Sequence, residues 1–172
     1  MSDLENIVLR SPSLEDGMAV FKLVQNCPPL DMNSSYCNLL QCSHFARTSV
    51  AAEVNGELLG FISGYALPER PDTLFIWQVA VAEQARGIGL ASRMLFHILS
   101  RSHCADFAYL ETTITDANKA SWALFKSLSV KLSADFQSSD WLDKETHFSA
   151  QHDSEALVRI GPFSSHKLRE IE

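Results

Sequence analysis

The sequence predicts an α/β (α+β) fold in which a mixed, mostly antiparallel central sheet of six to seven strands carries helices on both faces. Patterns with strand and helix periods follow one another in the order β-α-α-β-β-β-α-β-α-β-β. The 172 residues are 46% hydrophobic and 20% charged, which is typical of one globular domain with a real core. We therefore expect a single domain over 1–172, with its core over about 7–163 and a polar tail over 164–172 that frays.

The chain begins with a strand and a helix. Residues 7–10 are a short apolar run, and apolar side chains then recur at helical spacing over 14–24. Ser13 and Asp16 stand where a capping box would start this helix. The Pro28–Pro29 pair must end it, because proline removes a backbone donor and disfavours helical geometry in the residue before it.

A second helix and a β-hairpin follow. Residues 31–34 offer several N-cap side chains for a short helix that runs to Leu40. Residues 49–54 and 58–65 have strand character, and the Asn55-Gly56 pair between them is the signal of a type I′ turn. The hairpin is therefore predicted from local sequence alone.

The middle of the chain alternates between strands and helices. Residues 68–72 form a polar loop, and the β-branched and aromatic run 73–81 is typical of a buried strand. A helix is predicted over 87–101, a strand over 107–113 and a helix over 118–128.

The last part of the chain predicts two weaker strands, near 134–137 and 156–160. The connection between them, 138–154, is polar and contains Trp141 and His152. Its length indicates function or mobility.

Charge and composition exclude several classes of protein. Fourteen Lys and Arg against 21 Asp and Glu give a net charge of −7, which repels phosphate backbones and favours cationic small molecules. No run approaches the ~18 apolar residues of a membrane span, and the first residues lack the order of a signal peptide. The four cysteines and six histidines show neither CxxC nor HExxH spacing. We expect a cytoplasmic protein with no metal, nucleic-acid or membrane partner.

A glycine-rich segment between the buried strand and the next helix is the main candidate for ligand binding. In 84–92, two glycines one residue apart let the backbone approach a ligand, and the helix start presents N–H groups to an anion such as pyrophosphate. A Walker A loop is excluded because no lysine follows the last glycine. Gly87, Gly89 and Ser92 nearly meet the dinucleotide fingerprint, but about five residues separate the strand from the first glycine, where that fold needs a tight turn. A coenzyme A loop of the form Q/R-x-x-G-x-G/A fits, since Gln84 precedes the glycines.

The order of the elements around this loop resembles the GNAT acetyltransferases over the whole chain. The resemblance implies acetyl-CoA as cosubstrate, with the backbones of Val79 and Val81 bonding the pantetheine and Asn118 reaching the pantetheine arm. The residues implied at the pyrophosphate are Gln84, Arg86, Gly87, Ile88, Gly89, Leu90 and Ala91. Many members place a tyrosine in the following helix as acid to the thiolate. Here Phe125 stands there, and Tyr36 or Ser121 are the substitutes to consider.

Three phrases carry a more specific resemblance: 27–36, 75–81 and 110–118. They closely resemble the L-2,4-diaminobutyrate acetyltransferases of ectoine biosynthesis, and the likeness extends from about Leu9 to Phe163. It implies acetyl transfer to the γ-amino group of L-2,4-diaminobutyrate, in a homodimer that serves the osmotic stress response. A GNAT enzyme for another diamine or amino acid, and a non-catalytic coenzyme A-binding module, are the alternatives.

Such an acceptor carries two ammonium groups and one carboxylate, so its site needs anions or aromatic faces. Asp31 is either a turn or N-cap residue or, as the likeness implies, an amine ligand. Trp77 either packs in the core or supports an ammonium by a cation–π contact. Glu111, at the end of an apolar strand, could hold the γ-ammonium or accept its proton. The catalytic base is Glu111 or Asp31, and the sequence does not choose between them. Candidate donors to the substrate carboxylate are Asn33, Tyr36, Thr113 and His152.

Overall fold

The computed structural model describes residues 6–164, so most of the tail predicted to fray lies outside the described residues. Over this range the chain forms four helices and seven strands. The helices are α1 Gly17–Gln25, α2 Ser35–Ser43, α3 Leu90–Leu99 and α4 Lys119–Lys131. The strands are β1 Val8–Arg10, β2 Val50–Val54, β3 Glu57–Leu67, β4 Arg70–Val81, β5 Tyr109–Thr115, β6 Phe136–Leu142 and β7 Glu155–Ile160.

The strands form one mixed, mostly antiparallel sheet in the order β1-β2-β3-β4-β5-β7-β6. The pairs β1–β2, β2–β3, β5–β7 and β6–β7 are antiparallel. The predicted α/β fold class is confirmed. The Asn55-Gly56 hairpin is also present, and both turn residues have positive φ (51° and 83°), as a type I′ turn requires.

The element boundaries differ from the prediction at several ends, including those of β4, β6 and α3. The polar loop over 68–72 shrinks to two residues because β4 begins at Arg70. β6 extends to Leu142, which shortens the long connection to 143–154. Both added stretches are largely exposed, so backbone pairing rather than an apolar pattern makes them strands. α3 begins at Leu90 instead of residue 87, since Gly87 and Gly89 both have positive φ.

The described chain divides into two compact units, 6–65 with 76–104 and 66–75 with 105–164. In the first unit, α1 buries one face, and its apolar side chains belong to a core cluster. That cluster consists of Val20, Leu23, Val24, Cys27, Cys42, Phe61 and Ala80. The prediction of a single domain over 1–172 stays a prediction.

An ion triad fixes the start of the first unit. Arg10 donates to both carboxylate oxygens of Asp16 at 2.7 and 2.8 Å, and to Glu53 Oε2 at 2.6 and 2.9 Å. The backbone N–H of Ser13 donates to Asp16 Oδ2 at 2.7 Å, so the carboxylate also serves the predicted capping box. Hydrogen bonding from Arg10 lowers the pKa of Asp16, and outweighs the opposing effect of burial.

In the second unit, β5 lies beside β7, and Glu111 pairs directly with Arg159. Asn118 caps α4, since its side chain accepts a hydrogen bond from the backbone N–H of Ser121 at 3.1 Å. Phe125 on this helix is 1% exposed. Within 6–164, no helix is both long and apolar enough to cross a bilayer.

The Arg10–Asp16–Glu53 triad predicts an acid-dependent loss of stability. A carboxylate whose pKa is lowered by folding stabilises the protein above its unfolded pKa, near 3.9, and loses this contribution as pH falls through the folded value. At pH 7, Asp16→Asn should lower Tm by about 2–4 °C, and the difference from the unmodified protein should shrink towards zero by about pH 2. Thermal unfolding across pH 2–7 measures it. The control is Asp106→Asn, an exposed carboxylate in the loop before β5, and a pH-independent effect of Asp16→Asn would contradict the prediction.

Candidate active site

The glycine loop, defined as Gln84–Gly89, has the backbone of an anion site. Gly87 and Gly89 have φ of +77° and +76°, and a Cβ built on either would meet nothing within 4 Å. Conformation rather than crowding therefore requires glycine here. Gly89 is the N-cap of α3, and no side chain caps this helix. The first N–H groups of α3 and its positive dipole end are thus available to a phosphate.

The structure assigns different kinds of contact to the predicted coenzyme A residues. Most of the loop is exposed, whereas Leu90 is 1% exposed, so only the backbone of Leu90 can meet a ligand. Arg86 donates from Nε to the Val81 carbonyl at 3.1 Å, which closes the loop onto the end of β4. Cys27 Sγ lies 3.4 Å from the same carbonyl. Val79 and Ala91 are half-buried.

The segment before α2 is anchored by a side chain that sequence reasoning missed. Gln78 on β4 is 8% exposed, and its Nε2 donates to the Asp31 carbonyl at 3.1 Å. Its Oε1 accepts from Asn33 Nδ2 at 3.0 Å. The signal in the sequence was an amide within an otherwise apolar strand. One N–H of the Asn33 amide is therefore already hydrogen-bonded to Gln78.

Asp31 is not the cap of α2. Ser34 is the N-cap, and its Oγ accepts from the backbone N–H of Cys37 at 3.1 Å. The Asp31 side chain is exposed, three residues before that cap. Tyr36, in the first turn of α2, is 69% exposed. The capping alternative for Asp31 is thus removed, and an amine-binding role is left open to it.

Trp77 belongs to an open aromatic cluster rather than to the core. It is 43% exposed, and its ring centroid lies 6.4 Å from those of both Phe45 and Tyr65. Phe45 and Tyr65 stack on each other at 5.2 Å. Trp77 and Gln78 are consecutive strand residues, so their side chains leave β4 on opposite faces. The structure does not bring Trp77 to the Asn33–Gln78 pair.

Glu111 lies between two arginines that the sequence did not single out. Its side chain is 2% exposed, and Arg70 grips it with two hydrogen bonds of 2.6 and 2.8 Å. Arg159 also donates to Glu111 Oε1, and its guanidinium lies 3.8 Å from the centroid of the Tyr109 ring. Burial by itself would raise the pKa of Glu111, but the arginine hydrogen bonds outweigh it and the pKa is lowered.

This arrangement changes what Glu111 can do. Both carboxylate oxygens already accept hydrogen bonds from guanidinium groups, and the lowered pKa makes the carboxylate a weak proton acceptor. Two cations around one anion leave a local charge of +1. The expectation that Glu111 itself accepts a substrate proton therefore loses its physical support. Arg70 was placed in a loop by its polar neighbours, and Arg159 lacked any local pattern.

The other predicted residues of the second unit lie in ordered positions. Thr113 is half-buried on β5. His152 Nδ1 lies 2.6 Å from the Asp153 carbonyl, which can only accept, so this nitrogen carries the proton. The His152 ring lies 4.6 Å from that of Phe148. The Asn118 side-chain oxygen caps α4, which leaves its amide nitrogen for a ligand.

Comparisons with known proteins identify the family. The model of the acetyltransferase (GNAT) family matches residues 18–129. An L-2,4-diaminobutyric acid acetyltransferase of Methylotuvimicrobium alcaliphilum is 56% identical over 159 residues, which cover 92% of each chain. An enzyme of the same name from Vibrio parahaemolyticus is 50% identical over 89% of this chain and 84% of its own.

A solved structure agrees with the sequence relatives. The diaminobutyrate acetyltransferase of Paenibacillus lautus, in complex with its substrate L-2,4-diaminobutyric acid and coenzyme A, superposes with a TM-score of 0.88. The two are 36% identical, over 92% of this chain and 96% of that one. The chain therefore belongs to the GNAT acetyltransferases and, among them, to the L-2,4-diaminobutyric acid acetyltransferase family.

Proposed function

We propose that the protein transfers the acetyl group of acetyl-CoA to the γ-amino group of L-2,4-diaminobutyrate, giving N-γ-acetyl-L-2,4-diaminobutyrate in ectoine biosynthesis. The observation that carries this proposal is the structural likeness, over 92% of the chain, to a solved enzyme in complex with L-2,4-diaminobutyric acid and coenzyme A. The glycine loop and the uncapped start of α3 supply the chemistry that a coenzyme A pyrophosphate needs.

At the coenzyme end, the backbone does most of the binding. The N–H groups at the start of α3 and along Gln84–Gly89 receive the pyrophosphate, and Arg86 adds a positive charge beside it. The strand backbone at Val79 and Val81 receives the pantetheine. The Asn118 amide supports the pantetheine arm while its oxygen holds α4.

At the acceptor end, Asp31 receives an amine. It offers an exposed carboxylate on a segment fixed by Gln78. We withdraw the predicted cation–π contact of Trp77 with the same substrate, because its side chain leaves β4 on the face opposite to Gln78. Tyr36, Thr113 and His152 are the groups we propose for the substrate carboxylate, with Asn33 contributing its remaining hydrogen-bonding capacity.

The reaction needs a neutral amine. A primary ammonium with a pKa of roughly 10 is mostly protonated at neutral pH, so a carboxylate must take its proton before the nitrogen attacks the thioester carbonyl. We assign this proton to Asp31, because the arginines hold Glu111 ionised. The C–N bond then forms and the C–S bond breaks. The nitrogen gives up its second proton as the amide forms, and this proton neutralises the departing thiolate of coenzyme A. A backbone N–H near Val79 would stabilise the developing oxyanion.

Glu111 has a supporting electrostatic role in this proposal. Its charge keeps Arg70 and Arg159 together on one side of β5 and prevents two guanidinium groups from repelling each other. Phe125 is buried and its side chain carries no acidic group, so no side chain at that position protonates the thiolate. Tyr36 or Ser121 could do so, although a thiolate leaves without assistance.

The cellular setting follows from the resemblance. We propose that the protein acts in the cytoplasm as a homodimer and serves the response to osmotic stress. The net charge of −7 suits solubility there.

Substrate choice tests the proposal directly. We expect coenzyme A release from acetyl-CoA with L-2,4-diaminobutyrate at a kcat/KM at least tenfold above that with ornithine or lysine, because each added methylene moves the reacting amine away from the thioester when the α-amino and carboxylate groups are held in place. Thiol detection measures the release, and mass spectrometry identifies the acetylated nitrogen. A preference for ornithine would contradict the substrate, and no release with any amine would favour a non-catalytic coenzyme A-binding module.

The identity of the base is tested by pH–rate profiles. Asp31→Asn should lower kcat/KM at pH 7 by about 10²-fold or more, and raising the pH towards 10 should recover part of the loss, since more of the amine is then neutral. Glu111→Gln should leave the shape of the low-pH side of the pH–rate profile unchanged. If Glu111→Gln abolished the fall in rate at low pH while Asp31→Asn left it unchanged, Glu111 rather than Asp31 would be the base.

The glycine loop provides a matched pair of variants. Gly89→Ala puts a side chain at φ +76°, which costs about 1–2 kcal/mol, and should raise the KM for acetyl-CoA about tenfold. Gly56→Ala imposes a similar cost at φ +83° in the hairpin turn, also with no atom nearby. It should lower Tm without changing that KM. Equal effects of the two variants on the KM for acetyl-CoA would contradict coenzyme binding at the loop.

A further inference from the structure

We propose that Gln78 is a positioning residue for the acceptor site: its buried amide holds the Asp31–Asn33 segment on β4 so that the Asp31 carboxylate stands ready for the amine. This inference rests on the proposed function for the role of Asp31. It adds a residue that makes no substrate contact and acts through the segment it fixes.

Two hydrogen bonds of opposite polarity carry the inference. Gln78 donates to the Asp31 carbonyl at 3.1 Å and accepts from the Asn33 amide at 3.0 Å. The partners are 47 and 45 residues away in sequence, so both bonds are tertiary. A primary amide is suited to this task because it carries a donor and an acceptor on one planar group. Glutamate would present an oxygen to the carbonyl, and methionine would offer neither bond.

The segment needs such support because it has little of its own. Residues 26–34 connect α1 to α2 without helix or strand, and a turn bond from Leu30 N–H to the Cys27 carbonyl is part of their internal structure. Gln78, in contrast, sits in β4 between Ile76 and Ala80, which share its face and are at most 1% exposed. A rigid strand thus fixes a chain segment that lacks regular backbone bonding.

The same strand is linked to the other end of this segment. Cys27 Sγ contacts the Val81 carbonyl, three residues beyond Gln78. The segment 26–34 therefore contacts β4 near both of its ends. β4 is also the strand whose Val79 and Val81 we assign to coenzyme A. The register of β4 sets the spacing between the Asp31 segment and the pantetheine backbone contacts.

The test separates positioning from general stability. Gln78→Met should raise the KM for diaminobutyrate at least tenfold while the KM for acetyl-CoA stays within twofold. The matched control is Gln41→Met, which removes another fully buried amide of the first unit, one that bonds to Asn38 on α2. Gln41→Met should leave both KM values unchanged. Equal changes in the two variants, or an unchanged diaminobutyrate KM in Gln78→Met, would overturn the proposal.

A second variant guards against misfolding of the first. Gln78→Glu keeps a polar side chain and the acceptor for Asn33 but loses the donor to Asp31, and should show the same selective rise in the diaminobutyrate KM. A Gln78→Glu enzyme with normal kinetics would argue against the positioning role.

Hydrogen exchange gives a readout that does not depend on catalysis. Backbone amides of 30–34 should exchange at least tenfold faster in Gln78→Met than in the unmodified protein, whereas those of α2 should not change. If the unmodified protein acetylated no amine, the proposed function would fail, and exchange would still decide whether Gln78 holds the segment. Unchanged exchange over 30–34 would overturn the positioning role.

Discussion

The alternation of side chains along β4 is the constraint on which the candidate site residues of the first unit depend. A strand directs successive residues to opposite faces, so Trp77 joins the aromatic cluster while Gln78 turns inward to the Asp31 segment. Three residues after Gln78, the strand ends at Val81, whose carbonyl accepts the Arg86 hydrogen bond that closes the glycine loop. A shift of β4 by one residue would exchange all of these positions, because the period is two.

The local charge around Glu111 in the second unit is opposite in sign to the net charge of the whole chain. The protein carries a net charge of −7, yet the cluster of Arg70, Glu111 and Arg159 is locally positive. The buried carboxylate stays ionised because three guanidinium hydrogen bonds compensate its desolvation. Overall charge therefore says little about the polarity of a particular site.

Local patterns predicted the fold class and the Asn55-Gly56 hairpin. The turn and the paired glycines before α3 each depend on backbone conformations that neighbouring residues dictate. Errors arose where exposed polar residues joined strands, as at Arg70 and along β6, because cross-strand backbone bonds need no apolar pattern. Asp31 was one of several N-cap candidates before α2, and Ser34 occupies that position.

The sequence by itself determined the order of the elements, the glycine-rich segment before α3 and the family, since each depends on short runs of residues. Tertiary structure alone decided that Gln78 bonds to Asp31 and Asn33, and that the Glu111 carboxylate accepts hydrogen bonds from two arginines. These partners lie 41 to 48 residues apart in the chain. Which side chains meet over such separations depends on strand register and on the face to which each residue points, and no local pattern specifies both.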